Sequence, residues 1–270
     1  MGLLTMVTRR RRPGGSTPPP SLADQVQAAL AGKAGFYLDP TDKAVMWQNS
    51  LKTTPVTVAS DPVYVLTSKY GATTYDSATT ADASRPIYDG SALVYDGTDD
   101  RMLIQATAFG QNAPALAVVA YVKPAVITST RAIVQISANT STTNRFFLRT
   151  NADGSVSFIG RRLDADADTT VTTAAGLITT GTAYVITAVV DEAGTGGVSI
   201  RINGTERATG TLAGTPANTS NTATNRVQFG AVGTGSSFQN GEEGRMILCA
   251  FLPSASEIAL FESLVSEVAI

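Results

Sequence analysis

The chain is 270 residues long, 43% hydrophobic and 16% charged, with 20 basic against 22 acidic residues and a formal net charge of −2. It holds no histidine and one cysteine, which excludes Ser-His and Cys-His nucleophile pairs, histidine-rich zinc sites and an intramolecular disulfide. The only charges before Asp24 are Arg9, Arg10, Arg11 and Arg12, so the remainder carries 16 basic and 22 acidic residues, a net of −6 that lacks the positive footprint nucleic-acid phosphates demand.

Residues 1–20 combine those four arginines with four prolines and show no hydrophobic periodicity. Such a segment builds no core of its own and reads as a basic arm with a stiff proline spacer. The arginines lead into Pro13-Gly14-Gly15, not into an apolar signal region, and no run approaches the 18–20 apolar residues of a membrane span. The chain is therefore expected to be soluble and unprocessed. Ser21 with Asp24 three residues later offers an N-cap, Gln25 to Ala31 are good helix formers, and Gly32 is a stop. The expected division is 1–34, arm plus short helix, and 35–270, a β-rich body.

From Phe36 onward the period is two. Val198, Ile200 and Ile202 alternate with Ser199, Arg201 and Asn203, and Asn203-Gly204 follows as a tight-hairpin dipeptide. Asn151-Ala152-Asp153-Gly154 separates Arg145–Thr150 from Ser155–Gly160, and Asp89-Gly90 and Asp96-Gly97 are further turn signals. Ala115–Lys123, Ala183–Asp191 and Met246–Phe251 are apolar on both faces, as strands covered by a second sheet would be. Ser254 and Glu257 then form a capping-box pattern. Ile258, Phe261, Leu264, Val265 and Val268 recur at helical spacing, on a helix that packs on its own sandwich or on a neighbouring subunit. Many short strands with Gly, Asn and Asp between them predict an all-β, two-sheet antiparallel jelly-roll sandwich.

Two segments carry a family resemblance. Gly35-Phe36-Tyr37-Leu38-Asp39-Pro40 leads through Met46-Trp47-Gln48-Asn49-Ser50 and Ser84-Arg85-Pro86 to Tyr95-Asp96-Gly97-Thr98-Asp99-Asp100. Downstream, Val190-Asp191, Ile200-Arg201-Ile202-Asn203-Gly204, Phe229-Gly230 and the final helix follow in order. Over roughly residues 35–268 this arrangement resembles the concanavalin A-like, laminin-G-like jelly rolls of bacteriophage and prophage proteins. The resemblance implies a virion location, glycan or protein binding, particle architecture and homo-oligomerisation, with no single ligand fixed by the fold. The Glu-x-Asp-x-x-Glu strand of the enzymatic sandwich relatives has no counterpart here.

Candidate chemistry is sparse. Asp164, Asp166 and Asp168 alternate in a way that suits calcium, the one metal option in a chain otherwise expected to need no cofactor. An EF-hand loop would need Gly and Glu where Thr169 and Ala175 stand, and a solvated acidic loop is the competing reading. Asp191-Glu192 and Glu242-Glu243 are adjacent pairs that diverge in an extended strand, which argues against a paired-carboxylate hydrolase. Trp47, the single tryptophan, is expected to pack against other elements more than to present a sugar platform, and Cys249 to be a buried structural thiol. The arm residues Arg9, Arg10, Arg11 and Arg12 are expected to dock into an acidic socket on another virion protein, with neutralisation of packaged nucleic acid and a tail without a role as the alternatives. The expected role is a non-enzymatic virion component (decoration, fibre or collar), with a carbohydrate-binding host adhesin as the alternative and a polysaccharide-degrading enzyme behind both.

Overall fold

The computed structural model describes residues 19–139, 143–233 and 235–267. Two antiparallel sheets face each other across one apolar core, and two helices cover the far side of one sheet. No helix among the described residues is long and apolar enough to cross a membrane.

The first sheet has eight strands. Its path runs β15 (Thr205–Thr211), β14 (Gly197–Ile202), β13 (Tyr184–Val190), β8 (Leu116–Pro124), β17 (Asn240–Cys249), β6 (Leu93–Asp96) and β5 (Ile87–Tyr88). The eighth strand, β1 (Gly35–Leu38), pairs with residues 246–249 of β17, while β6 takes residues 240–243 of the same strand. The second sheet has nine strands in the order β12 (Thr169–Thr172), β11 (Val156–Gly160), β10 (Asn144–Thr150), β9 (Arg131–Ala138), β16 (Asn225–Phe229), β7 (Met102–Thr107), β4 (Asp76–Ala78), β3 (Val65–Thr67) and β2 (Met46–Trp47). The expected hairpin between β14 and β15 turns on Asn203 and Gly204, both at positive φ (49° and 75°), the geometry that selects Asn-Gly.

The doubly apolar strands have an instructive location. On β8, Leu116, Val118, Ala120 and Val122 point into the core between the sheets, whereas Ala117, Val119 and Tyr121 point outward. On β17, Met246 and Leu248 point inward, Ile247 and Cys249 outward. The outward set is covered not by a sheet but by α1 (Leu22–Leu30) and α2 (Ala255–Ser266). Val26, Leu30, Phe261, Leu264 and Val265 are all 0–1% exposed there. Each such side chain contributes about 1.5–3 kcal/mol over an exposed one. Both helices start with a complete capping box, Ser21 with Asp24 and Ser254 with Glu257. The helix α2 therefore packs on its own sandwich. The helix α1 packs against α2 on the same sheet, so Val26 and Leu30 are buried with the body that begins at residue 35.

Candidate ligand-binding face

Both α-helices among the described residues pack on the eight-stranded sheet, and neither covers the outer face of the nine-stranded one. Alternation decides what that face presents. In β10, Phe146 and Leu148 enter the core while Phe147 and Arg149 point out. In β16, Val227 and Phe229 enter while Arg226 and Gln228 point out. In β11, Val156 and Phe158 enter while Ser157 and Ile159 point out.

Strand register lines these outward residues into a row. Ile159 pairs with Phe147, Phe147 with Gln135, Gln135 with Gln228, Gln228 with Leu103, Leu103 with Ala78, Ala78 with Val65, and Val65 with Trp47. The middle of the row is buried (Gln135, Gln228 and Phe147 are 1–4% exposed), while Ile159 and Trp47 at the two ends are half-buried. The segment between β16 and β17 lies over the middle, where the Gly233 amide N–H donates to Gln135 Oε1 at 2.8 Å. Gln135 Nε2 in turn donates to Asn144 Oδ1 at 2.5 Å. Its neighbour Gln228 has neither end of its amide hydrogen-bonded.

The charges on this face are one-sided. Among the described residues the strands of this sheet carry Arg131, Arg145, Arg149 and Arg226 against one acid, Asp76, which is paired with Lys52 at 2.6 Å near the Trp47 end. Arg149 and Arg226 make no ion pair among the described residues, and the Nε of each is buried without a hydrogen-bond partner. Arg149 stands 5.7 Å from the Phe147 ring centroid, a cation–π contact. Burial lowers the Arg226 pKa and the nearby Arg101 charge lowers it further. Of the groups on this side without a partner, Gln228 and Ser137 are buried, whereas Arg149 and Arg226 are half-buried and can be reached from outside.

The residues singled out from the sequence lie elsewhere. Arg9, Arg10, Arg11 and Arg12 lie outside the described residues. Asp164 accepts from the Thr222 hydroxyl at 2.5 Å and from Arg145 at 3.3 Å, Asp166 from the Leu163 amide at 3.0 Å, and Asp168 from Arg161 at 2.8 Å. Each carboxylate serves a different neighbour, and the structure does not bring the three together. The trio that does converge is Asp96, Asp99 and Asp100, with one oxygen of each within 4.8 Å of the others. Asp96 accepts the Thr98 amide and Asp100 the Asp96 amide, so these carboxylates shape the turn after β6. Burial pushes the Asp100 carboxyl up to about 7.

Neither adjacent acid pair forms a two-carboxylate centre. Asp191 caps its own turn through the Gly194 and Thr195 amides, while Glu192 is fully buried. Glu242 pairs with Lys123 at 2.7 Å, while Glu243 points into the core, where burial raises its pKa well above the carboxylate range. Trp47 is half-buried at the sheet edge with Lys52 Nζ 5.0 Å from its ring centroid. Cys249 is buried beneath the helices, and burial raises its thiol pKa. The outward Arg and Gln residues were missed because strand alternation alone does not say which of two sheets the helices cover.

Comparison with known proteins agrees with this architecture. Residues 96–243 match the concanavalin A-like lectin/glucanases superfamily. Among solved structures, a NanB sialidase variant from Streptococcus pneumoniae aligns with a TM-score of 0.50 and 16% identity, over 63% of this chain and 27% of that one. The Ruminococcus gnavus IT-sialidase CBM40 aligns with a TM-score of 0.47 and 16% identity, over 58% of this chain and 84% of that one. At these identities the likeness is one of fold. No curated protein matches the chain.

Proposed function

The chain belongs to the concanavalin A-like lectin/glucanases superfamily, and from that premise we propose that it is a non-catalytic saccharide-binding module whose ligand lies on the outer face of the nine-stranded sheet. One observation carries the reading. On the outward side of this sheet the half-buried guanidiniums of Arg149 and Arg226 make no ion pair among the described residues, and the Nε of each has no hydrogen-bond partner there. Guanidinium donors left open in this way meet the hydroxyl and acidic oxygens of saccharides. The test is a glycan microarray with the full chain, repeated with Arg149→Ala and with Arg207→Ala, an exposed arginine on the opposite sheet. Saturable binding lost with Arg149→Ala and kept with Arg207→Ala supports the reading. An array with no ligand, or equal behaviour of the two variants, overturns it.

A second reading is a structural part in a bacteriophage particle, with the module displayed outward and residues 1–20 as its attachment. The observation in its favour is compositional: a tip of four arginines and a proline spacer precede the packed helix α1. Incorporation into particles, compared between the full chain and one lacking residues 1–20, tests it. Equal incorporation removes the arm from the argument.

A further inference from the structure

Resting on the saccharide-binding reading, we infer that the ligand is an acidic polysaccharide, bearing carboxylate or sulfate groups on more than one sugar. The body as a whole is acidic, so a cationic face on it needs its own explanation. Arg149 and Arg226 are half-buried, have no counter-ion among the described residues, and sit on β10 and β16 with β9 between them. Phe147 and Gln228 both pair with Gln135. Arg149 follows Phe147 by two residues on β10, and Arg226 precedes Gln228 by two on β16. The strands run in the same direction, so the two arginines flank the central row on opposite sides.

Two residues along a strand on each side and two strand spacings across place their Cα atoms on the order of 17 Å apart. One small anion does not bridge that span, whereas charges repeated along a chain do. A guanidinium held with buried Nε and no internal acid is costly in the free protein and is relieved when an anion arrives, which favours charged over neutral ligands.

The experiment compares matched probes on the full chain by calorimetry: polygalacturonate against its fully methyl-esterified form, and dextran sulfate against dextran. The anionic member of at least one pair is expected to bind at least roughly tenfold more tightly, with affinity falling as salt rises. Preference in the first pair assigns the carboxylate and in the second the sulfate. Arg149→Gln combined with Arg226→Gln is expected to erase the preference while the thermal midpoint stays near that of the parent chain. A full-length variant with Arg9, Arg10, Arg11 and Arg12 changed to Gln is expected to keep it. Equal binding of neutral and anionic members overturns the inference and leaves saccharide binding standing, as does a preference that disappears with the four arm arginines. No binding to any of the four probes overturns the inference, while the glycan array alone decides saccharide binding.

Discussion

The Arg162 guanidinium and the Glu192 carboxyl share one buried corner without forming an ion pair. Arg162 Nε donates to the Glu192 backbone carbonyl at 2.9 Å, and its Nη1 donates to the carbonyls of Leu212, Ala213 and Gly214. The Glu192 carboxyl has no hydrogen-bond partner. Arg162 thus ties three chain segments together through backbone carbonyls, and the neighbouring acid is left to burial.

Burial pushes Glu192 up to about 8, against an ordinary value of 4.5, with the Arg162 charge opposing the rise. The folded protein therefore holds a proton between those values that the unfolded chain has released. The contribution is fully present below about pH 4.5 and is lost as pH rises towards 8, a loss on the order of 3–5 kcal/mol. Glu192→Gln cannot ionise and should flatten this slope. Urea unfolding at pH 5 and pH 8 is expected to show the variant gaining on the parent chain at the higher pH. A gain at pH 5 that vanishes at pH 8 reverses the sign and defeats the argument.

Gly196 makes the Arg162 corner possible. It sits at φ +73°, and a β-carbon there would occupy the space of Arg162 Nη2. Gly176 has a similar φ of +75° but open space around it. Gly176→Ala is expected to cost about 1 kcal/mol from backbone strain alone, and Gly196→Ala about 3 kcal/mol or more because the buried guanidinium must also move. Equal chemical denaturation midpoints for the two variants would show that Arg162 does not hold the corner.

Deletion of residues 1–20 should leave the thermal midpoint unchanged, because α1 and its Ser21 cap are retained. Deletion of residues 1–34 removes Val26 and Leu30 from beneath α2 and is expected to cost at least about 3 kcal/mol. A chain starting at residue 35 that melts like the parent would mean α1 is an ornament, in spite of its burial.

The sandwich was readable because its signals are local: alternation in β14, Asn203-Gly204 at its turn, and capping boxes at Ser21 and Ser254. What covers a strand is not local. Val118 and Val119 are both buried, one under a sheet and the other under helices, and nothing in the residues distinguishes those two covers. The same gap hid the candidate face. Arg149 and Gln228 lie 79 positions apart, and only the β10–β9–β16 pairing puts them on one sheet face. Asp164, Asp166 and Asp168 show the converse: close in sequence, they turn towards Arg145, the Leu163 amide and Arg161.

Gln135 and Gln228 provide a test with opposite signs. They pair directly across β9 and β16 and are equally buried, yet only Gln135 is hydrogen-bonded, to Asn144 and to the Gly233 amide. Gln135→Leu strands both partners and is expected to cost about 1–3 kcal/mol. Gln228→Leu removes an amide whose two ends are already unpaired, so it is expected to gain about 1 kcal/mol. Because Gln228 is only 1% exposed, that gain is expected to leave saccharide binding unchanged. Differential scanning calorimetry on the two variants, paired with binding to the preferred glycan, checks both halves. Destabilisation by both substitutions would mean that Gln228 is satisfied within the folded protein, and the case for an unfilled polar face would fail with it.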